Sequence, residues 1–216
     1  MDLKKSGISA AAILCFIGIL APDAMASGFG LYVSGGSGTA DTTYKPESDT
    51  GGSDVKVKET SKHTGVGFVY DSNVLESRKL FNYRLNLGYE KRSIELDDAS
   101  ALYTNEIKMN GVALEQDFGF GGKLGSHVRL WGGPCLRLSY HTGSVQNTDF
   151  KSAGIGVGPV LGVNVGLGKT VALSVRAGYL FNGYAGTWKE SIDDGTLTTS
   201  ERLAFANVSL LFRTGE

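Results

Sequence analysis

Beyond its first 26 residues the chain has a single cysteine, little proline and no long apolar run, and each shortage removes a class of protein. Of the two cysteines, Cys15 lies in the opening segment and Cys135 stands alone in the rest. No internal disulfide is therefore available, and a lone thiol builds no metal set. Three histidines, His63, His127 and His141, have no metal-ligand spacing among them. Four prolines in 216 residues, with strong alternation elsewhere, fit neither collagen nor disorder. The net charge is −1, and no basic run points to nucleic acid. No apolar run beyond residue 26 reaches the roughly 20 residues of a transmembrane helix. That excludes a helical membrane protein and leaves a barrel open.

The opening segment has its own order. Lys4 and Lys5 precede an apolar run from Ile8 to Ala21, then Pro22 and Ala24-Met25-Ala26. This is the pattern of a secretory signal peptide over residues 1–26, with cleavage after Ala26 and one mature domain over 27–216. Cys15 lacks the small preceding residues of a lipidation site.

Glycine is abundant: 31 residues, about twice its usual share of roughly 7%. Six of them fall in Ala153–Thr170, which ends in Gly-Lys-Thr. A P-loop would need glycine where Val163 stands, and the dinucleotide fingerprint would need it at Pro159 or Leu161, so no nucleotide is implied. The stretch has a strand's period instead. Its glycines are at even positions, while Ile155, Val157, Leu161, Val163, Val165 and Leu167 are at odd ones.

Seven other segments alternate in the same way, at about 28–36, 64–71, 80–94, 105–120, 127–140, 171–184 and 202–213. In the fourth, Ile107 and Met109 fall out of step with Val112, Leu114, Phe118 and Phe120, which predicts a β-bulge near Asn110-Gly111. Long polar connections, 39–62, 95–104, 141–151 and 185–201, alternate with short ones near 72–79, 121–126 and 168–170. That rhythm predicts an all-β, eight-stranded antiparallel up-and-down transmembrane β-barrel, with both chain ends on the short-turn side. The first long connection, with Lys45, Glu47, Asp49, Asp54, Lys56, Lys58 and Glu59, reads as a solvated, mobile loop.

Composition decides which face meets lipid. A soluble lipocalin-like periplasmic barrel, binding a small apolar ligand, would alternate too, with its apolar face inside. Here the other face is mostly glycine with isolated ions: Arg84, Glu90, Glu115, Asp117, Arg129, Arg137 and Arg176. Small residues around a few large charges suit a narrow interior, where the charges must pair to offset desolvation. Pairs between Glu115 or Asp117 and Arg84 or Arg129 are expected, forming a network that plugs the lumen. Phe29, Phe68, Tyr70, Phe81, Tyr83, Phe118, Phe120 and Phe212 gather toward the short turns, and Tyr89, Tyr140, Tyr179 and Phe181 toward the long loops, as two interfacial girdles.

With "SGFGLYVSGGSG", "GIGVGPVLGVNVGLG", "VALSVRAGYLF" and "ANVSLLF", the mature chain resembles the small eight-stranded outer-membrane barrels of Gram-negative bacteria, of the OmpA transmembrane-domain, OmpX and opacity-protein kind. The resemblance implies a monomer in the bacterial outer membrane, among its lipids and lipopolysaccharide, with a structural or surface-interaction role and no cofactor. It also implies that Val208, Leu210 and Phe212 act as an assembly signal for the barrel-assembly machinery, although Arg213 to Glu216 follow the aromatic. "YHTGS" faintly resembles the outer-membrane lipid A deacylases. His141 and Ser144, three apart, would not share a strand face, so a lipid A-modifying enzyme is the lesser alternative. His63 and His127 read as solvated residues at strand ends.

Overall fold

The computed structural model describes residues 27–47, 54–75, 79–96, 106–145, 147–190 and 194–214. The expected signal peptide, its cleavage point and Asp49 lie outside them. Eight strands follow in order: β1 (Gly28–Pro46), β2 (Val55–Asp71), β3 (Phe81–Leu96), β4 (Glu106–Leu124), β5 (Val128–Val145), β6 (Thr148–Gly166), β7 (Val171–Lys189) and β8 (Asp194–Arg213). Each pairs antiparallel with its sequence neighbours, and β8 returns to β1, so the sheet is a closed barrel without edges. Following register partners once around the barrel from Gly35 leads back to β1 at Lys45, ten residues on. This stagger sets the strand tilt.

The strands run 16 to 20 residues, about twice the roughly 9–11 that cross a membrane. The apolar belt accounts for the half nearest the short turns, where Phe29, Leu31, Val33, Phe68, Leu161, Val175 and Leu210 face outward and are exposed. Beyond the belt the outward residues become polar: Asp41, Lys56, Lys58, Lys62, Thr198, Ser200 and Arg202. The long polar connections of the sequence reading are therefore mostly strand. Lys45, Lys56, Lys58 and Glu59 belong to β1 and β2, and Glu59 is buried inside the barrel. These segments carry polar residues on both faces, so hydrophobic alternation gives no sign of them.

The bulge near Asn110-Gly111 does not form: β3 and β4 keep one register from Phe81↔Phe120 to Glu95↔Glu106. Ile107 and Met109 stay in step and point inward, packing with Ile94 in an apolar cluster near the loop end of the lumen. Tyr83, expected in the girdle, is covered, its ring 5.6 Å from Phe118 and its hydroxyl donating to Gln116. Pro134 and Pro159 are register partners across β5 and β6. Opposite them, the β4–β5 and β6–β7 ladders each skip two pairs without changing register, as expected where the N–H is missing.

Candidate functional site

Inward side chains fill the lumen in layers. At the turn end, the segment after β2 folds into the barrel mouth and buries Val74 and Leu75 against Tyr32, Val69, Ala172 and Leu211. Polar bonds hold it there. Asn164 Nδ2 donates to the Val74 carbonyl at 3.0 Å, Asn73 Nδ2 to the Lys79 and Phe81 carbonyls at 2.9 and 3.0 Å, and Arg129 to the Lys79 and Leu80 carbonyls at 2.9 and 3.0 Å.

Above this segment lies a chain of buried charges. Arg84 donates to Ser174 and Ser209 at 2.6 and 2.5 Å, with Asp71 at 3.5 Å. Arg176 grips Asp117 through both carboxylate oxygens at 2.8 and 2.7 Å and also binds Glu115. Glu115 accepts from Arg137, which donates its other terminal nitrogen to Glu90 at 2.5 and 2.6 Å. Glu90 further meets His141 Nε2 at 2.8 Å and His63 Nδ1 at 3.0 Å. His63 Nε2 then reaches Glu201 at 3.0 Å. Glu201 also takes Arg92 at 3.2 Å, Asn182 at 2.7 Å and the Tyr184 hydroxyl at 2.9 Å. Arg92 lies 4.1 Å above the Tyr184 ring.

A proton count follows from this geometry. Both nitrogens of His63 face carboxylate oxygens, and neutral imidazole has only one N–H to donate. The Glu90–His63–Glu201 bridge therefore holds one extra proton. With it, the four carboxylates Glu90, Glu115, Asp117 and Glu201 are balanced by Arg92, Arg137, Arg176 and that proton.

All seven charged residues singled out in the sequence lie inside the barrel and are buried, but the partners differ from those expected. Arg84 and Asp117 are opposite each other in register, yet Asp117 takes Arg176 from β7. Arg129 binds turn carbonyls. In so narrow a barrel the long side chains reach across the lumen as readily as to the next strand. Sequence reading missed Arg92, Glu59, Glu201, His63 and Asp71. His63 is buried between two carboxylates where a solvated strand end was expected, whereas His127 is exposed. His141 points inward while Ser144 is exposed and donates to Asp149 at 2.7 Å, so that pair shares no site.

Glycines open the room these groups occupy. A Cβ on Gly162 would sit 2.3 Å from the Trp131 ring, and one on Gly156 would sit 1.9 Å from Asn182 Oδ1. The inner wall is less polar than expected, since Trp131, Cys135, Val160, Leu180, Leu203 and Phe205 form an apolar cluster beside the charges.

Inside the barrel but beyond the level of the belt, Glu59 accepts from Thr42 at 2.6 Å and from Tyr44 at 3.0 Å. Burial pushes its carboxyl above the usual glutamate range, with Glu201 adding to the shift, against the two hydrogen bonds and Arg92. Among the described residues no group of three or more His, Cys, Asp and Glu side chains is arranged to hold a metal ion. A lipocalin-like arrangement is not what forms: the apolar face is outside and the ions are inside, the reverse of a soluble ligand-binding barrel.

No protein-family model matches this sequence, and no curated protein does. Among solved structures, the outer-membrane protein OprG from Pseudomonas aeruginosa aligns over 90% of this chain and 100% of its own, with TM-score 0.63 and 10% identity. Neisserial surface protein A aligns over 82% of this chain and 96% of its own, with TM-score 0.33 and 18% identity. Ail, the attachment invasion locus protein of Yersinia pestis, aligns over 83% and 99%, with TM-score 0.33 and 11% identity. With eight antiparallel strands in a closed ring and the OprG likeness over 90% of its length, the chain has the fold of the small outer-membrane β-barrels.

Proposed function

We propose that the chain is an integral protein of the bacterial outer membrane, without enzymatic activity. In this reading its belted half spans the bilayer and its polar half stands above the surface as a structural or interaction element. One observation carries this: an outward, predominantly apolar belt on one half of every strand, backed by inward charges paired with one another. A membrane barrel needs that inversion, and a soluble one would be destabilised by it.

The lumen is closed to ions in this reading, by the charge chain and by the apolar layers at its two ends. Val208, Leu210 and Phe212 face outward on the closing strand, where they would serve as the assembly signal. Fractionation and conductance test the reading together. The protein is expected in the outer membrane, extractable only with detergent and shifting in gel mobility on boiling, and silent in planar bilayers. Recovery from the periplasm would overturn the membrane assignment, and steady single-channel currents would overturn the closed lumen.

A further inference from the structure

The buried charge chain has one link that a change of pH can break. Arginines keep their proton in proteins, so the contacts of Arg84, Arg92, Arg137 and Arg176 survive any ordinary pH. The Glu90–His63–Glu201 bridge stands instead on the single proton of one imidazole, which meets a carboxylate at 3.0 Å on each side. His63 is buried just beyond the belt, between the outward Thr64 and Lys62. In register, Glu90 is level with Gly65 and through it with Ser34 of β1, whereas Glu201 is level with Ala40. His63 therefore reaches over β1 and joins the belt level to the polar half.

Each carboxylate belongs to a cluster of its own. Glu90 has Arg137 at 2.5 and 2.6 Å and His141 at 2.8 Å, and Arg137 continues through Glu115 to Arg176. Glu201 has Arg92 at 3.2 Å, Asn182 at 2.7 Å and the Tyr184 hydroxyl at 2.9 Å. His63 is bonded to both clusters. The other titratable neighbours are His141, with its ring centre 6.5 Å from that of His63, and Glu59 with Tyr44 toward the loop end. β6 brings only Ser152 and Gly154 to this level.

Burial opposes a charge on His63, but the hydrogen bonds and charges of Glu201 and Glu90 outweigh it and hold the ring above the ordinary histidine range. A raised value in the folded protein means that the bridge is intact through the ordinary range and is lost as pH rises through the raised one. Neutral His63 donates through one nitrogen and turns a lone pair toward the other carboxylate, so one bond becomes a repulsion. The four carboxylates then outnumber their cations by one in a site shielded from water, which is costly until water enters.

We propose that His63 is a proton-operated latch: protonated, it locks the polar half to the belt through Glu90 and Glu201, and deprotonated in alkaline solution it frees the two clusters and admits water between them. Each carboxylate keeps its other partners, so release is a local opening and the barrel stays folded. The apolar cap and the folded-in turn still close the ends, so release makes no channel. The latch rests on the geometry of the lumen and not on the membrane reading.

The test uses the mature barrel refolded in detergent with nitrogen-15 in its histidine rings, followed by NMR against pH, with the exposed His127 as internal reference. His63 should show both ring nitrogens protonated at neutral pH and titrate above His127. Amide exchange around Glu90 and Glu201 should then quicken, beyond its chemical pH dependence, by about tenfold for each unit separating the two midpoints. His63→Gln should abolish that excess while keeping the heat-dependent gel shift, and Glu201→Gln should return the His63 midpoint toward that of His127. A His63 ring with one bare nitrogen at neutral pH, or an excess that persists in His63→Gln, would overturn the latch. So would loss of the wild-type gel shift as His63 deprotonates, which would mark a group that holds the whole fold rather than a switch within it.

Discussion

Replacing Arg176 with methionine separates a dry, plugged lumen from a water-filled one. Arg176 is the only cation bonded to Asp117 among the described residues, through two contacts of 2.8 and 2.7 Å, and it shares Glu115 with Arg137. Its guanidinium also lies 5.0 Å from the centre of the Phe205 ring, where a methionine side chain keeps much of the packing. Removing one partner of a fully buried pair costs about 3–5 kcal/mol, because the other charge stays behind desolvated. That is a factor of about a hundred or more in the folding equilibrium. Solvent-exposed pairs are worth only about 0–1 kcal/mol. Urea titration of the barrel refolded into vesicles, followed by tryptophan emission, reads the difference, since Trp131 lies within the lumen and is 3% exposed. Adding Asp117→Asn to Arg176→Met should recover more than half of the loss, because Glu115 keeps Arg137. A loss under about 1 kcal/mol, or no recovery in the double variant, would refute the buried-network reasoning.

Two further predictions concern the inner wall and the polar half. Gly162→Val should abolish the heat-dependent gel shift on refolding, because its Cβ alone meets the Trp131 ring at 2.3 Å; normal refolding would show that the wall has slack. Glu59 has a raised carboxyl, so its neutral form suits the fold better than the unfolded chain. Its contribution is complete below the ordinary glutamate range and is lost as pH rises through the raised value. Amide exchange in the polar ends of β1, β2 and β8 should therefore quicken from acid toward neutral pH beyond the intrinsic chemical dependence. Glu59→Gln should remove that excess, and an unchanged pH profile in the variant would refute the assignment.

Much of the barrel was legible because an apolar outer belt around a polar lumen imposes alternation. The turn-side strand ends at Gly28, Asp71, Phe81, Val171 and Arg213 lie within about a residue of where hydrophobic parity begins or stops, and Arg84, Glu115 and Arg176 fall on the inner parity. What parity hides is the part of the barrel beyond the apolar belt. There Thr42, Glu59 and Ser61 point in while Asp41, Lys58 and Lys62 point out, and two polar faces leave no period to read. Ile107 and Met109 misled for the converse reason: the loop end of the lumen closes with an apolar cap, so hydrophobic residues there mark the inside. Partner choice was equally hidden, since Asp117 bonds Arg176 from the far wall and not Arg84 opposite it, a choice made by side-chain reach across the lumen.

Where the bilayer meets the wall can be measured directly with nitroxide labels. Cys135 is fully buried, so thiols introduced by Leu161→Cys in the belt and Thr198→Cys on the polar half would label selectively. In vesicles, the label at 161 should relax readily with oxygen, which concentrates in hydrocarbon, and resist an aqueous nickel chelate; the label at 198 should show the reverse. Chelate access at both positions would contradict a membrane-spanning belt, and oxygen preference at both would contradict a polar half that stands clear of the membrane.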